Sequence, residues 1–193
     1  MLTGKTIGEL PLLDYNLVND DTKVPVEASG STYHIPFSDV LHRPFASYID
    51  TTTQSLSGAN TPTVISFNTI VIESGITLTD LTKITVLRPG VYTVGISMQF
   101  DKTSLLSLEP IYIWTRVNGE DVPDSAGEIR LLNNNSEALP FIPYTYELNA
   151  NDYIEFVFAS SDDSVILSYI PLTNSPYVRP GAPSITLDIK QIS

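Results

Sequence analysis

From Ala46 onward the apolar side chains of this chain fall on every second residue, and no stretch sustains the 3.6-residue period of a helix. A period of two belongs to extended chain, whose side chains alternate between two faces. The pattern is clearest over residues 91–100. Tyr92, Val94, Ile96, Met98 and Phe100 share one face there, and Thr93, Gly95, Ser97 and Gln99 share the other. That alternation predicts a strand half-buried in an antiparallel sheet. Pro89-Gly90 just before it is a turn signal. Similar strands are predicted over 63–69, 82–87, 111–117, 152–159, 165–170 and 184–189. Turn clusters separate them: 57–60, Asn118-Gly119, 133–135, 149–151 and 160–164. Short strands at even spacing with Gly, Asn and Pro turns predict an all-β sandwich or barrel. The glycine patterns that cradle nucleotide phosphates are absent.

The charge balance narrows the partners. Among 193 residues, 10 Lys+Arg face 22 Asp+Glu, a formal net charge of −12. A nucleic-acid binder needs a basic face to displace phosphate counterions, so nucleic acid is excluded as an expected partner. Adsorption to anionic lipid is disfavoured for the same reason. No apolar run approaches the ~20 residues of a membrane-spanning helix, so no membrane insertion is expected. The first ten residues, MLTGKTIGEL, carry no basic stretch leading into an apolar one, so no secretory signal is read. With 0 Cys there is no disulfide, no thiol catalysis and no cysteine metal site.

Residues 1–45 differ from the remainder. Pro11, Pro25, Pro36 and Pro44 recur, and Asp14, Asn16, Asn19, Asp20 and Asp21 break any helix. Two short strands are predicted at 22–28 and 32–37, joined by a turn at Ser29-Gly30-Ser31. Ser38-Asp39 would cap a single helical turn through Val40 and Leu41. So few apolar side chains cannot order a segment alone, which predicts a partner surface. The expected organisation is an N-terminal arm, 1–45, and a head domain, 46–193.

Two aromatic clusters exceed what one sheet face needs. Ile111-Tyr112-Ile113-Trp114 is apolar on both faces, and Tyr144, Tyr146 and Tyr153 add further rings. Aromatic residues are enriched at interface cores, so Tyr112, Trp114, Tyr144, Tyr146 and Tyr153 are expected at an interface between copies of the chain.

The order of landmarks resembles the trimeric jelly rolls of the complement globular-head and tumour-necrosis-factor superfamily. Ala46-Ser47-Tyr48 followed by residues 64–68 is similar to that family's opening strands. Pro89-Gly90-Val91-Tyr92 is similar to its G-x-Y strand start, and residues 114–119 to a strand ending in an Asn-Gly turn. Residues 148–154 resemble its "L-x-x-G-D-x-I/V" approach to a late strand, with Asn151 where Gly is usual; Asn also tolerates a positive φ. Residues 184–192 resemble the terminal strand. The resemblance implies an antiparallel jelly-roll subunit assembled as a homotrimer. It does not imply a function, because sites are grafted onto folds.

The arm points to particles. Residues 6–12, 20–26 and 32–41 resemble the leading segments of bacteriophage fibre and virion-decoration proteins, which begin with an "I-x-E-L-P" stretch, a "D-x-L/V-P-V" strand and a "T-x-x-I/V-x-x-S-x-L" strand and turn. In such proteins the arm attaches the fibre to the particle. The resemblance implies a viral structural protein on the virion surface, held by its arm on a major capsid protein or another virion protein. Leu10, Leu12, Val24, Val26, Ile35 and Phe37 are the apolar side chains that would set the arm's register. The short stretch between Leu41 and Ala46 leaves no shaft, so capsid decoration or a head fibre is expected before a tail fibre. The alternative is a receptor-binding head that recognises host-surface glycan or protein for host attachment, with residues 169–177 as contact loops.

Catalysis is not expected, and no cofactor is. His34 and His42 are the only imidazoles, and both lie in the arm, away from any nucleophile of the head. Glu120, Asp121, Asp124, Glu128, Asp162 and Asp163 fall in predicted turns. They could cleave sugars only as a facing pair at a set separation, and they lack the ligand spacing of a calcium loop. No metal ligand is assigned, and plain loop acidity is the expectation. Asn134-Asn135-Ser136 fits a glycosylation acceptor and is read as an ordinary turn.

Overall fold

The structure, a computed structural model, describes residues 23–36, 43–103, 109–131 and 138–193. The chain divides into two units, Met1–His42 and Arg43–Ser193. Strands are numbered in chain order.

In the first unit β1 (Lys23–Ala28) pairs antiparallel with β2 (Ser31–Pro36). Ala28 pairs with Ser31, so the turn is the two residues Ser29 and Gly30, one shorter than expected. Their φ values are +52° and +77°. Two positive φ angles give the primed turn whose twist matches that of the flanking strands. The helical turn expected at 38–41 lies outside the described residues.

The second unit is all-β and antiparallel, with no helix among the described residues. One sheet has the strand order β14 (Phe141–Leu148), β9 (Gly90–Met98), β17 (Ile185–Gln191), β3 (Phe45–Asp50), β6 (Thr69–Ser74). The larger sheet runs β12 (Glu120–Asp121), β11 (Ile111–Val117), β15 (Tyr153–Ser160), β8 (Lys83–Val86), β7 (Ile76–Thr79). Two short strands also join it, β13 (Gly127–Ile129) beside β11 and β5 (Thr63–Val64) beside β15. A small third sheet has the order β10 (Phe100–Lys102), β16 (Val165–Leu167), β4 (Gln54–Ser55). This build is consistent with a jelly-roll-like sandwich.

The inner faces share one core. Tyr92, Val94, Ile96 and Met98 of β9 meet Ile111 and Ile113 of β11, Ile154, Phe156 and Phe158 of β15, and Leu187 and Ile189 of β17, all fully or almost fully buried. Each such side chain contributes about 1.5–3 kcal/mol through removal from water. The alternation read over 91–100 therefore marks the core face. Its last member, Phe100, lies in β10 rather than β9 and is also buried.

Two predicted strands are shorter in the structure. Over 63–69 only Thr63 and Val64, and Thr69 at the start of β6, are strand, although Ile65 and Phe67 are fully buried. This stretch crosses between sheets. Ile65 N–H donates to the Phe156 carbonyl, Phe67 N–H to that of Leu81, and Asn68 N–H to that of Ile49. Three acceptors on three segments cannot form one ladder. Over 165–170 the strand ends at Leu167, and Ser168 N–H turns to the Gln99 carbonyl. Strand β14 was not among the predicted strands. Pro143 sits inside it, and proline is tolerated there because β14 lies at a sheet edge.

Candidate functional site: interaction surfaces of the two units

The arm's candidates are placed only in part. Val24 and Val26 are half-buried on β1, and Tyr33 on β2 is exposed. Ile35 pairs through its backbone with Val24. Leu10, Leu12 and Phe37 lie outside the described residues. His34 is exposed on β2, and His42 lies outside the described residues.

The five candidate interface aromatics separate into two groups. Tyr144 and Tyr146 point into the subunit. Their rings stack with centroids 6.0 Å apart, and Tyr144 meets Phe156 of the facing sheet edge-on at 5.8 Å. The Tyr146 hydroxyl is hydrogen-bonded to Thr115 Oγ1 at 2.5 Å, and that of Tyr144 donates to the Ser125 carbonyl at 3.3 Å. Burial pushes the Tyr144 phenol up to about 12 and raises Tyr146 as well. These two half-buried rings fill the gap between β14 and β11 and pack against the subunit's own core.

Tyr112, Trp114 and Tyr153 are on or near the surface. Tyr112 is exposed on the outer face of β11 and hydrogen-bonded to Glu128. Trp114 is half-buried, and its indole N–H donates to Asp121 Oδ1 at 2.7 Å. Arg116 Nε donates to the same oxygen at 2.6 Å, and these two donors hold the Asp121 carboxyl below the usual carboxylate range. Tyr153 is half-buried beneath Lys83, whose Nζ is 5.4 Å from the ring centroid.

Three of the six acidic candidates, Asp121, Glu128 and Asp162, are paired with a basic side chain. Glu128 is bound by Arg130 at 2.7 Å, and its carboxyl is lowered by Arg130 first and Tyr112 second. Asp162 is buried beside Lys102. Glu120, Asp124 and Asp163 are exposed. Among the described residues, no three His, Cys, Asp or Glu side chains are grouped to hold a metal ion.

The sequence reading missed a surface on the five-stranded sheet. Its outer face carries a groove of about 520 Å³ lined by Phe45, Ile72, Gly95, Phe141 and Pro143, with Asp188 and Lys190 at its rim. The groove owes its shape to Gly95. A Cβ there would lie 2.6 Å from Cζ of Phe141, so only a bare backbone admits that ring. Phe141 is 66% exposed. On the same sheet the edge strand β6 shows Ile70, Val71 and Ile72 to solvent, all at least 50% exposed. A register shift opposite Ser47 and Tyr48 leaves Val71 without a partner residue in the ladder. The available signal was the Thr69–Ser74 sequence itself, with three consecutive β-branched aliphatic residues, Ile70, Val71 and Ile72, between polar ends.

No family model and no curated protein sequence matches this chain.

Proposed function

We propose that this chain is a virion structural protein. It acts as a capsid decoration (cement) or head-fibre protein, attached by its N-terminal arm and projecting a trimeric jelly-roll head. The observation that carries the reading is the contrast between the two units. The Arg43–Ser193 unit has a complete buried core. The described part of the Met1–His42 unit is one two-stranded hairpin with Tyr33 exposed. Such a hairpin is marginal in water without a further surface to pack on. A virion protein would supply that surface, and strand addition would hold the arm through backbone hydrogen bonds.

Self-association of the head draws support from the five-stranded sheet. Ile70, Val71 and Ile72 are exposed on one edge strand, β6, and Phe141 on the opposite edge strand, β14, and an uncovered aliphatic edge strand invites pairing and aggregation. Residues 51–193 hold 7 Lys+Arg and 15 Asp+Glu, a balance of 7 − 15 = −8, so copies repel over most of their surface. The groove offers a balanced patch, with Asp188 beside Lys190, where a second copy meets least repulsion.

Deleting residues 1–41 tests the attachment reading. The truncated head is expected to stay folded and trimeric and to fail to join particles in a reconstitution assay. A truncated head that decorates particles at full occupancy would falsify it.

A second reading, a receptor-binding head for host-surface glycan or protein, is favoured by one loop. Leu172, Tyr177 and Val178 are 59%, 66% and 74% exposed, an unusual apolar content for a loop tip. Adsorption of isolated heads to host cells, abolished by Tyr177→Ser with Val178→Ser, would select this reading over decoration.

A further inference from the structure

A buried lysine–aspartate pair at the end of β10 belongs to neither surface. Lys102 Nζ lies 3.4 Å from Asp162 Oδ2, and both side chains are only 7% exposed. The backbone fixes this meeting. Lys102 is paired with Val165 in the β10–β16 ladder. The next residue, Thr103, donates to the Ser164 carbonyl from its N–H at 2.9 Å and from its hydroxyl at 3.2 Å. Asp162 N–H in turn donates to Ser160 Oγ at 3.1 Å.

The two carboxyl oxygens of Asp162 have different surroundings. Oδ1 accepts from the Ser164 backbone N–H at 3.0 Å and from the Ser164 hydroxyl at 2.6 Å. Oδ2 faces the amine. One oxygen is thus held by two donors and the other stands beside a nucleophile. A buried ion pair seldom recovers its full desolvation cost by attraction alone. The same atoms have a second, covalent outcome.

We propose that Lys102 and Asp162 condense into an intramolecular amide, a cross-link between β10 and the turn before β16. A proton passes from Nζ to Oδ2, which leaves a neutral amine facing a carboxylic acid. The Nζ lone pair attacks Cγ. Negative charge develops on Oδ1, where the two Ser164 donors stand, the arrangement that stabilises tetrahedral intermediates of acyl transfer. The Cγ–Oδ2 bond then breaks, and Oδ2 leaves as water with its own proton and a second one from Nζ. The products are one amide and one water, and no oxidant or activating group is consumed. Fixed apposition replaces the entropy loss of a bimolecular encounter. Exclusion of bulk water from the buried site favours the condensed side. A chain with 0 Cys has no disulfide to staple its sheets, and this amide would supply such a staple.

Mass spectrometry of the purified full chain decides the matter. The wild type is expected to be lighter than its sequence by one water. Tryptic digestion should yield no peptide ending at Lys102, and should yield instead a branched peptide carrying both Lys102 and Asp162. Lys102→Arg and Asp162→Ala should each restore the full mass. Asp162→Asn should form the same amide with ammonia as the leaving group, so its loss is one ammonia; that separates this bond from dehydration at another aspartate. Two results would overturn the proposal. One is a wild-type chain that keeps its full mass after prolonged incubation, with trypsin cutting after Lys102. The other is a water loss that persists in Lys102→Arg. The wild-type digest is decisive even if a variant fails to fold.

Discussion

Asp50 shows how one residue can organise three segments. It is 1% exposed at the end of β3, and its Oδ1 accepts from Thr52 N–H at 2.7 Å, Thr52 Oγ1 at 2.5 Å and Asn68 Nδ2 at 3.1 Å. The Ser66 hydroxyl donates to Oδ2 at 3.4 Å. The carboxylate therefore ties the turn after β3 to the crossing stretch between β5 and β6. Asp50→Ala would remove the shared acceptor of those donors, but Thr52 and Asn68 are exposed and can turn to water, so the expected destabilisation is about 1–2 kcal/mol, read from the urea midpoint. A midpoint within error of wild type would remove this role. Nothing in the sequence distinguished Asp50 from the other acids, because its role depends on partners 16 and 18 residues away. Tyr144 and Tyr146 teach the same lesson in reverse. Their abundance in the sequence was legible, whereas their inward direction is a property of the facing sheet, where Thr115 and Phe156 receive them.

At the scale of elements, turns written in local chemistry were the easiest to read. Asn118 and Gly119 have φ of +54° and +85° and join β11 to β12, with Val117 paired to Glu120. Asn151, standing where glycine is common, adopts φ +71° as its short polar side chain allows. Strands that contain a proline or lead into a crossing were harder. Pro143 hid β14, and the run over 65–68 buries Ile65 and Phe67 without forming a ladder because it passes from one sheet to another. Strand β6 makes a testable element. Ile72→Lys combined with Phe141→Lys adds two charges to the outer face of its sheet and touches no core residue. The unfolding free energy of the isolated subunit is expected to stay within about 0.5 kcal/mol of wild type, as surface changes do. Under the proposed trimeric reading, its mass by light scattering should fall from three subunits to one. An oligomer that survives both charges would place the interface elsewhere.

The whole molecule carries its pH response in buried phenols. Burial raises Tyr48, Tyr144 and Tyr146, and for Tyr48 the Glu73 carboxylate adds to the effect. A raised folded value stabilises the fold below the ordinary phenol value and loses that contribution as pH climbs toward the folded one. For Tyr144 the window runs from the ordinary 10.0 to about 12. The unfolded chain releases its proton across that range while the folded chain keeps it, so the fold should weaken there. Phenolate absorbance should rise in a late, cooperative step that coincides with loss of the strand signal. A gradual titration of all tyrosines from the ordinary value, with the fold intact, would contradict it. At the acid end, Asp121, Glu128 and Asp152 have lowered values, held by Arg116, Arg130 and Asn118 respectively as first cause. Their contribution is present above the ordinary carboxylate range and fades as pH falls through it. Asp121 and Glu128 are exposed and Asp152 half-buried, so the expected acid effect is small and shrinks in salt.

Local and periodic information by itself determined the all-β class, the core face of β9, the Asn118-Gly119 turn and the distinct character of the first 45 residues. Backbone sterics and side-chain alternation act over a few residues, so they are written in a few residues. Tertiary structure alone decided which aromatics turn inward, that Gly95 lies beneath Phe141, and that Lys102 meets Asp162 in a buried site. Those are relations between segments far apart in the chain, and packing sets them only when the sheets close over one core.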